Sequence, residues 1–333
     1  MRFVPTTEQR DFTRSLDALL TACDTPKAVR SWAAGDHGPG RALWRRLAGA
    51  GVFALAAPQA YGGAGRLPPE LAMAHRELGR HAVPGPLVET AAATALLGRL
   101  ADAGVPGPAE RLLPGVLAGE AVVTLAVPEG GGWVLDPDGA DAVLVVAAGP
   151  GGAAELRLAP GHGPLHASLD PARRLARPHP GGELLAAGPV LDEAVGCAVR
   201  WARLAAAAQA VGVAEELLRR TVAYVRQRVQ FGVPIGSFQA VKHRLADTLL
   251  AVEFARPLVY GAALTLAPGD LAAAKAAAGE AAYTAARAAL QLHGAIGYTE
   301  ELDLSLWLRR ARPLRDAWGT PAQCRAEVLA AYR

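Results

Sequence analysis

The sequence predicts a mainly helical α+β chain: an N-terminal helical domain, a small middle β domain and a C-terminal helical bundle. Three observations predict this order. Residues 1–118 repeat apolar side chains at helical spacing, and residues 119–189 contain short β-prone runs between Gly and Pro clusters. Residues 190–333 return to long helical patterns. We take these three ranges as the domains.

The N-terminal domain begins with a clear helix signal. Thr6 and Gln9 have the spacing of a capping box, in which the threonine hydroxyl accepts an N–H at the start of a helix. A run of residues 68–97 then predicts two further helices, separated by Pro84 and Pro86. The apolar face that follows the first cap consists of Phe12, Leu16, Leu19 and Leu20.

The middle domain is predicted to form β-strands. The runs "EAVVTLAVPE", "ADAVLVVAA" and "AAELRLA" are short and β-prone, and "GGGW", "GPGG" and "PGHGP" divide them. We expect three to five strands. Residues 193–228 then resume helical spacing, and "GDLAAAKAAAGEAAYTAARAALQLHGAIG" predicts another long helix that ends in a glycine-rich turn.

Composition limits the classes of function. The 333 residues carry a net charge of +3 without a long basic run, which argues against a nucleic-acid partner. The N-terminus lacks the apolar core of a signal peptide, and no apolar stretch is long enough to span a membrane. The three cysteines lie far apart, and no histidine or cysteine spacing suggests a metal site. We expect a cytoplasmic protein without a bound metal.

The first stretch whose residues could bind a ligand is "RQRVQFGVPIGSFQAVKHRLAD", residues 226–247. Arg228 has a fork of donors that matches phosphate oxygens, Phe231 can lie against a flat ring, and Gln239 can bond a base or sugar edge. The alternative is a plain helix–helix corner. There Arg228 would be solvated and Gly232 would end the first helix. Phe231 and Phe238 would both lie in the core.

The second stretch is "QLHGAIGYTEE", residues 291–301. Gly294 and Gly297 allow backbone amides to approach a phosphate, and Gln291 precedes them. A helix that simply stops at glycine is the alternative here. Neither stretch is specific when taken alone.

Together these stretches resemble the acyl-CoA dehydrogenase family over essentially the whole chain. "PQAYGGAG" and "ELGR" match the N-terminal domain, "TLAVPE" opens the middle domain, and the two stretches above lie in the C-terminal domain. The resemblance implies a C-terminal four-helix bundle, an FAD cofactor, an acyl-CoA or acyl-carrier-protein substrate, and a dimer or tetramer. In the family a carboxylate removes a proton from Cα while a hydride passes from Cβ to the flavin.

The resemblance also implies that the two stretches complete the FAD site of a neighbouring subunit. The arginine and the glycine-rich turn would meet the pyrophosphate of that cofactor. The implied cofactor-binding residues are Arg228, Phe231, Gln239, Gln291, Gly294, Ala295 and Gly297.

The catalytic base of the family is missing from both of its usual places. Trp318 lies 21 residues beyond Gly297, before a Gly-Thr pair, where the family carries a glutamate. The second known position corresponds to Ala202. An indole nitrogen only donates hydrogen bonds, so Trp318 cannot take a proton from carbon. The nearby acids are weaker candidates for the base: Glu300, Glu301, Asp303 and Asp316.

The flavin-binding part of the middle domain departs from the family as well. Pro128 stands where a threonine would offer groups to flavin. The Trp-Ile-Thr strand that backs the flavin ring has no counterpart between residues 130 and 187.

Three hypotheses follow from these departures. In the first, the chain is the non-catalytic subunit of a heteromeric acyl-CoA dehydrogenase and completes its partner's FAD site, as in paired actinobacterial subunits that degrade steroids. In the second, it is a homo-oligomeric flavoprotein with an atypical base or altered chemistry. In the third, it is a flavin-free structural or acyl-binding module.

Overall fold

The computed structural model describes residues 4–128, 131–149 and 152–332, and most of them are helical. The order of helices, strands and helices confirms the predicted fold class. The helices are α1 (Thr7–Thr21), α2 (Thr25–Ala33), α3 (Gly38–Gly49), α4 (Pro68–Arg80), α5 (Leu87–Asp102), α6 (Gly107–Leu117), α7 (Pro189–Gln227), α8 (Gln239–Thr265), α9 (Pro268–His293), α10 (Leu304–Asp316) and α11 (Pro321–Ala331). The strands are β1 (Val123–Ala126), β2 (Val134–Leu135), β3 (Ala142–Ala148), β4 (Ala154–Leu158), β5 (Leu175–Ala176), β6 (Glu183–Ala187), β7 (Val229–Gln230) and β8 (Val233–Pro234).

The chain packs into two compact units, which are described separately below. Unit 1 consists of Met1–Ala22, Ala72–Ala82 and Ala206–Arg333. Unit 2 consists of Cys23–Leu71 and Val83–Ala205.

Unit 1 begins with the capping box that the sequence predicts. The Gln9 N–H donates to the Thr6 hydroxyl at 3.2 Å, and the Thr6 N–H donates to the Gln9 side chain at 2.9 Å. These two bonds satisfy donors that the helical ladder leaves unpaired at the start of α1. Leu16 and Leu20 then turn the apolar face of α1 into the interior.

Small side chains allow the helices around α9 to approach closely. Along α9, alanine recurs at nearly every inward position, and the helix lies against α8, α10 and α11. A Cβ added at Gly279 would lie 3.2 Å from the Cα of Arg315, so α10 passes close to the α9 backbone at that point. This arrangement fixes the end of α10 and the turn that follows it.

A second close approach joins α4 and α7 within unit 1. A Cβ built at Gly212 would lie 1.9 Å from the carbonyl oxygen of Arg76, and one at Gly79 would lie 2.2 Å from that of Gln209. Neither position tolerates a side chain unless the helices separate. The two glycines therefore set the distance between the two helices.

We expect Gly212→Ala to destabilise the chain by about 2 kcal/mol, because the steric penalty of overpacking exceeds the gain in helix propensity. Gly196→Ala on the same helix is the matched control, since its Cβ would meet only Arg200, at 3.6 Å. That control is expected to raise stability by up to about 1 kcal/mol. Urea unfolding of both variants measures the difference, and equal stabilities would contradict the packing argument.

Unit 2 contains the small sheet. Its strand order is β1-β3-β4-β6, with β1 parallel to β3 and the other neighbours antiparallel. β2 and β5 form a separate antiparallel pair. Between residues 123 and 187 the described chain thus has six short strand segments, against the three to five expected. The extra segments are the two-residue strands β2 and β5, which are too short to give an alternating pattern.

The helix α5 supports this sheet. It is buried over nearly its whole length, and its Thr90 hydroxyl donates to the Val123 carbonyl of β1 at 2.6 Å. A helix that is apolar all round needs cover on several sides, and β1 supplies one of them.

No helix in the described part of the chain is long and apolar enough to cross a membrane.

Candidate functional site

The corner between α7 and α8 presents an exposed aromatic ring. β7 and β8 pair around Phe231 and Gly232, which have φ values of 53° and 80°. Two positive φ values are typical of a tight hairpin turn, where asparagine and glycine are usual and phenylalanine is rare. Phe231 is nevertheless 93% exposed. The turn thus presents a large apolar ring to solvent from a strained backbone.

Arg228 lies at the base of the same hairpin. Its N–H donates to the Tyr224 carbonyl at 2.9 Å, and its carbonyl accepts from the Ile235 N–H at 2.8 Å. The backbone is thereby fixed while the side chain is exposed. Among the described residues, no carboxylate pairs with its guanidinium. Gln239, the first residue of α8, is exposed as well.

The glycine-rich turn after α9 forms the second part of the site. Gly294 has a φ of 64° and ends the helix, and Gln291, Gly294 and Ala295 are exposed. Gly297 differs, because it is buried and a Cβ there would lie 3.1 Å from the Cβ of His293. The structure therefore gives Gly297 a packing contact and leaves the Gly294 end open to solvent.

An aromatic pair brings the two parts together. The rings of Tyr224 and His293 stack with centroids 4.2 Å apart, and the Tyr224 hydroxyl donates to the His293 carbonyl at 3.3 Å. Tyr224 lies one helical turn before Arg228, and His293 directly precedes Gly294. Arg228 and the Gly294 turn are thus held on neighbouring helix ends.

Burial lowers the pKa of His293, although the bond from its Nδ1 to the Ala289 carbonyl opposes this. The neutral ring suits a stacked, buried position. His293 is packed, and Tyr224, its stacking partner, has no strong signal in the sequence. Its only signal was its position four residues before Arg228.

The turn between α10 and α11 contains no carboxylate at the position expected for a base. Trp318 has a φ of 58° and Gly319 a φ of 129°, and Thr320 then caps α11 through a capping box with Gln323. Lys275, which has no exposed surface, reaches this turn from α9. Its Nζ donates to the carbonyls of Arg315 at 2.9 Å and Gly319 at 3.2 Å.

Three of the other positions considered for a base are unsuited to that role. Ala202 is fully buried in α7. Glu300 has a side chain that is 72% exposed and is paired with Arg309. Asp316 is 41% exposed and is paired with Arg315 at 3.2 Å. Ion-paired, solvated carboxylates are poor bases for removing a proton from carbon.

One cluster of potential metal ligands exists among the described residues, and its charge is already balanced. Asp17, Glu77 and His81 lie close together in unit 1. Arg80 Nη1 donates to Glu77 at 2.6 Å and to Asp17 at 3.3 Å. A guanidinium therefore occupies the place that a cation would take.

Two family models match the helical parts of the chain. The N-terminal domain model of the acyl-CoA dehydrogenases matches residues 6–120, and the C-terminal domain model matches residues 194–331. The acyl-CoA dehydrogenase IpdE2 of Mycobacterium tuberculosis is 38% identical over 311 residues, which cover 91% of each chain.

Two solved structures of paired subunits are also similar. A variant of the Tcur3481-Tcur3483 steroid ACAD has a TM-score of 0.82 and 28% identity, covering 98% of this chain and 97% of that one. The ChsE4-ChsE5 complex from Mycobacterium tuberculosis has a TM-score of 0.81 and 25% identity, covering 100% and 99%. On the matching domain models and the relative that aligns along its length, the chain belongs to the acyl-CoA dehydrogenase family.

Proposed function

We propose that this chain is the base-less subunit of a cytoplasmic heteromeric acyl-CoA dehydrogenase. It completes the FAD site of a partner subunit, and the partner supplies the glutamate that removes a proton from Cα of a bulky acyl-CoA. One observation carries the proposal. The exposed Phe231 and Arg228 are held ready for a ligand, while Trp318 and Ala202 leave this chain without a base.

The exposed corner fits part of an FAD molecule. The guanidinium of Arg228 can make paired bonds to a pyrophosphate. Gly294 and Ala295 are exposed, and because the Gly294 N–H already donates to the Leu290 carbonyl, Ala295 is the residue of this pair whose amide would add a neutral donor. Phe231 offers an apolar face to a flat ring, and Gln291 offers an amide. Bound FAD supplies the hydride acceptor for the oxidation.

The middle domain of this chain does not fit a flavin ring of its own. Pro128, which has no N–H to donate, is exposed at the end of β1. β2 ends at Leu135, and only residues 136–141 separate it from β3. Within the described range no further strand is available there to back a flavin. We therefore place the working flavin in the partner.

The chemical role of the base also falls to the partner. Trp318 can only donate a hydrogen bond through its indole nitrogen. The chain's own residues would bind and orient the cofactor, and the proton would pass to a carboxylate outside this chain. The two similar structures of paired subunits support such a division of roles.

The outer face of α8 supports a partner as well. Leu250, Phe254 and Leu258 repeat every four residues and are 54%, 71% and 44% exposed. The inner face of the same helix carries Val252 and Val259, which are buried. A helix with apolar residues on both faces needs cover on both, and α8 is the helix that follows the Phe231 hairpin.

We expect Phe254→Asp to weaken association with the partner at least tenfold, because it places a charge in the middle of the stripe. Leu329→Asp is the matched control, since Leu329 is 62% exposed on α11, outside the stripe. Analytical ultracentrifugation of the co-expressed pair measures the effect. If both variants associate as the wild type does, the partner does not use α8.

Co-expression with a family member that keeps its glutamate tests the proposal. The isolated chain is expected to purify without FAD, and the complex to contain one FAD for each pair of chains. Addition of acyl-CoA should then bleach the flavin absorbance. Stoichiometric FAD and acyl-CoA oxidation in the isolated chain would instead establish the homo-oligomeric enzyme. A partner with unchanged FAD affinity after Arg228→Ala and Gln291→Ala would favour the flavin-free module.

A further inference from the structure

The turn between β2 and β3 carries a carboxyl group in the interior of unit 2. Asp136 has no exposed surface, and its φ of 47° is unusual for a residue other than glycine. Its Oδ1 accepts from the N–H of Arg174 at 2.8 Å, and its own N–H donates to the Arg174 carbonyl at 2.7 Å. These bonds fasten the turn to the residue that precedes β5.

The second oxygen of this carboxyl has no donor. Among the described residues, nothing donates a hydrogen bond to Asp136 Oδ2, although it is buried. The Arg174 guanidinium is directed elsewhere, since Nη2 lies 3.1 Å from Asp138 and 2.8 Å from His37 Nε2. A carboxylate that water cannot reach needs donors on both oxygens, whereas a neutral acid does not.

Arg173 and Arg174 lie near Asp136, but the described contacts include no salt bridge from either guanidinium to its carboxyl. Burial raises the pKa of Asp136 to about 7, against the smaller opposite effects of the Arg174 N–H, the charges of Arg173 and Arg174, and the Trp32 indole N–H. Burial also lowers the pKa of His37, which Asp138 opposes, so that ring accepts from Arg174 as a neutral base. The charged or titratable groups that surround the cluster are Asp36, His37, Arg41, Asp138, Arg173 and Arg174.

The α2 helix packs directly on this turn. Trp32 is fully buried, and a Cβ built at Gly139 would lie 2.6 Å from its ring. The Trp32 indole N–H is close enough to the carboxyl to favour its charged form, although it makes no hydrogen bond of normal geometry among the described residues. A negative charge at Asp136 would therefore appear beneath a close helix contact.

We propose that Asp136 is a proton-binding site of the fold: the chain folds with Asp136 as the neutral acid, and loss of its proton leaves a buried charge that destabilises the turn 136–141. The site lies wholly within unit 2 and does not depend on FAD or on a partner. It makes the stability of this chain responsive to pH near neutrality.

Proton linkage gives the direction in which the stability of the fold changes with pH. An aspartate in the unfolded chain ionises near about pH 3.9, and Asp136 in the fold ionises near about 7. Between these values the folded chain holds one more proton than the unfolded chain. The contribution of Asp136 to the free energy of unfolding is therefore fully present below about pH 4. It falls as pH rises and is lost above about pH 7.

Asp136→Asn tests the proposal in the full-length chain. Asparagine mimics the neutral acid and tolerates a positive φ. The ratio of the wild-type unfolding constant to that of the variant is expected to rise about tenfold per pH unit between about pH 4 and 7, and then to level off. Asp141→Asn, at the exposed end of the same turn, controls for removal of a carboxylate. A ratio that is constant with pH would overturn the proposal.

A second measurement does not depend on the variant. Carbon-13 NMR of wild-type protein labelled at the aspartate carboxyl carbon is expected to show one aspartate that titrates near about pH 7. Glutamates such as the buried Glu77, whose pKa burial also raises, carry no label in this experiment. Titration of every labelled carboxyl below about pH 5 would show that Asp136 is ionised in the fold, against the proposal.

Discussion

Replacement of Lys275 by methionine is expected to lower the free energy of unfolding by about 3 kcal/mol. The Lys275 ammonium is fully buried and donates to the carbonyls of Arg315 and Gly319. Methionine keeps the length and most of the apolar stem of the side chain, so the change removes chiefly the donors. Two partly buried carbonyls then lose their partner, at about 1–3 kcal/mol each, and relief from burying a cation offsets part of this loss.

Urea unfolding monitored by circular dichroism measures this loss. Lys242→Met is the matched control, because Lys242 is exposed on α8, and its effect is expected to stay within about 0.5 kcal/mol. Limited trypsin digestion adds a local test, since the bonds from Lys275 hold the backbone at Arg315. Faster cleavage after Arg315 is expected in the methionine variant only. Equal stability of both variants would mean that other contacts hold the Trp318 turn.

Local signals in the sequence predicted the fold well. The Thr6–Gln9 capping box, the glycine stop at Gly294 and the division of α4 from α5 near Pro84 all depend on residues within a few positions of one another. Such signals involve a few side chains and their own backbone, so a sequence contains all the information they need. The mainly helical fold class followed from them.

Contacts between distant segments were not predictable in this way. Lys275 in an alanine-rich helix looks like a solvated lysine, and only the passage of α10 beside Gly279 shows why it is buried. Tyr224 and His293 lie 69 residues apart, and nothing in their local sequence indicates that they stack. The buried state of Asp136 likewise depends on α2 and on the segment before β5.

In the candidate site, too, the sequence predicted some features and the structure was needed for others. The motif residues at the α7–α8 corner were chosen from the sequence, but the exposure of Phe231 and its strained backbone required the structure. The helix–corner alternative placed Phe231 in the core. At 93% exposure, Phe231 lies outside it, which removes that alternative for this residue. The exposure of Phe231 is observed in this chain, whereas its contact with a flavin is a proposal that requires a partner subunit.

Arg228→Ala, in the complex with a base-bearing partner, is expected to raise the dissociation constant for FAD by about 10–100-fold. This range corresponds to the loss of a charge-assisted contact with phosphate. Arg228→Lys should fall between the wild type and the alanine variant, because an ammonium keeps the charge but not the planar pair of donors. Arg226→Ala is the matched control, since Arg226 is exposed two residues earlier, at the end of α7.

The flavin affinity is best measured by fluorescence as FAD dissociates from the complex at increasing salt. A phosphate contact predicts that the difference between wild type and Arg228→Ala narrows as salt rises, because screening weakens the charged contact. A structural role for Arg228 would instead weaken partner association in all buffers and leave the salt dependence unchanged. If Arg228→Ala and Arg226→Ala both bind FAD as the wild type does, the exposed hairpin does not reach the cofactor. The function of Phe231 would then have to be sought at a different interface.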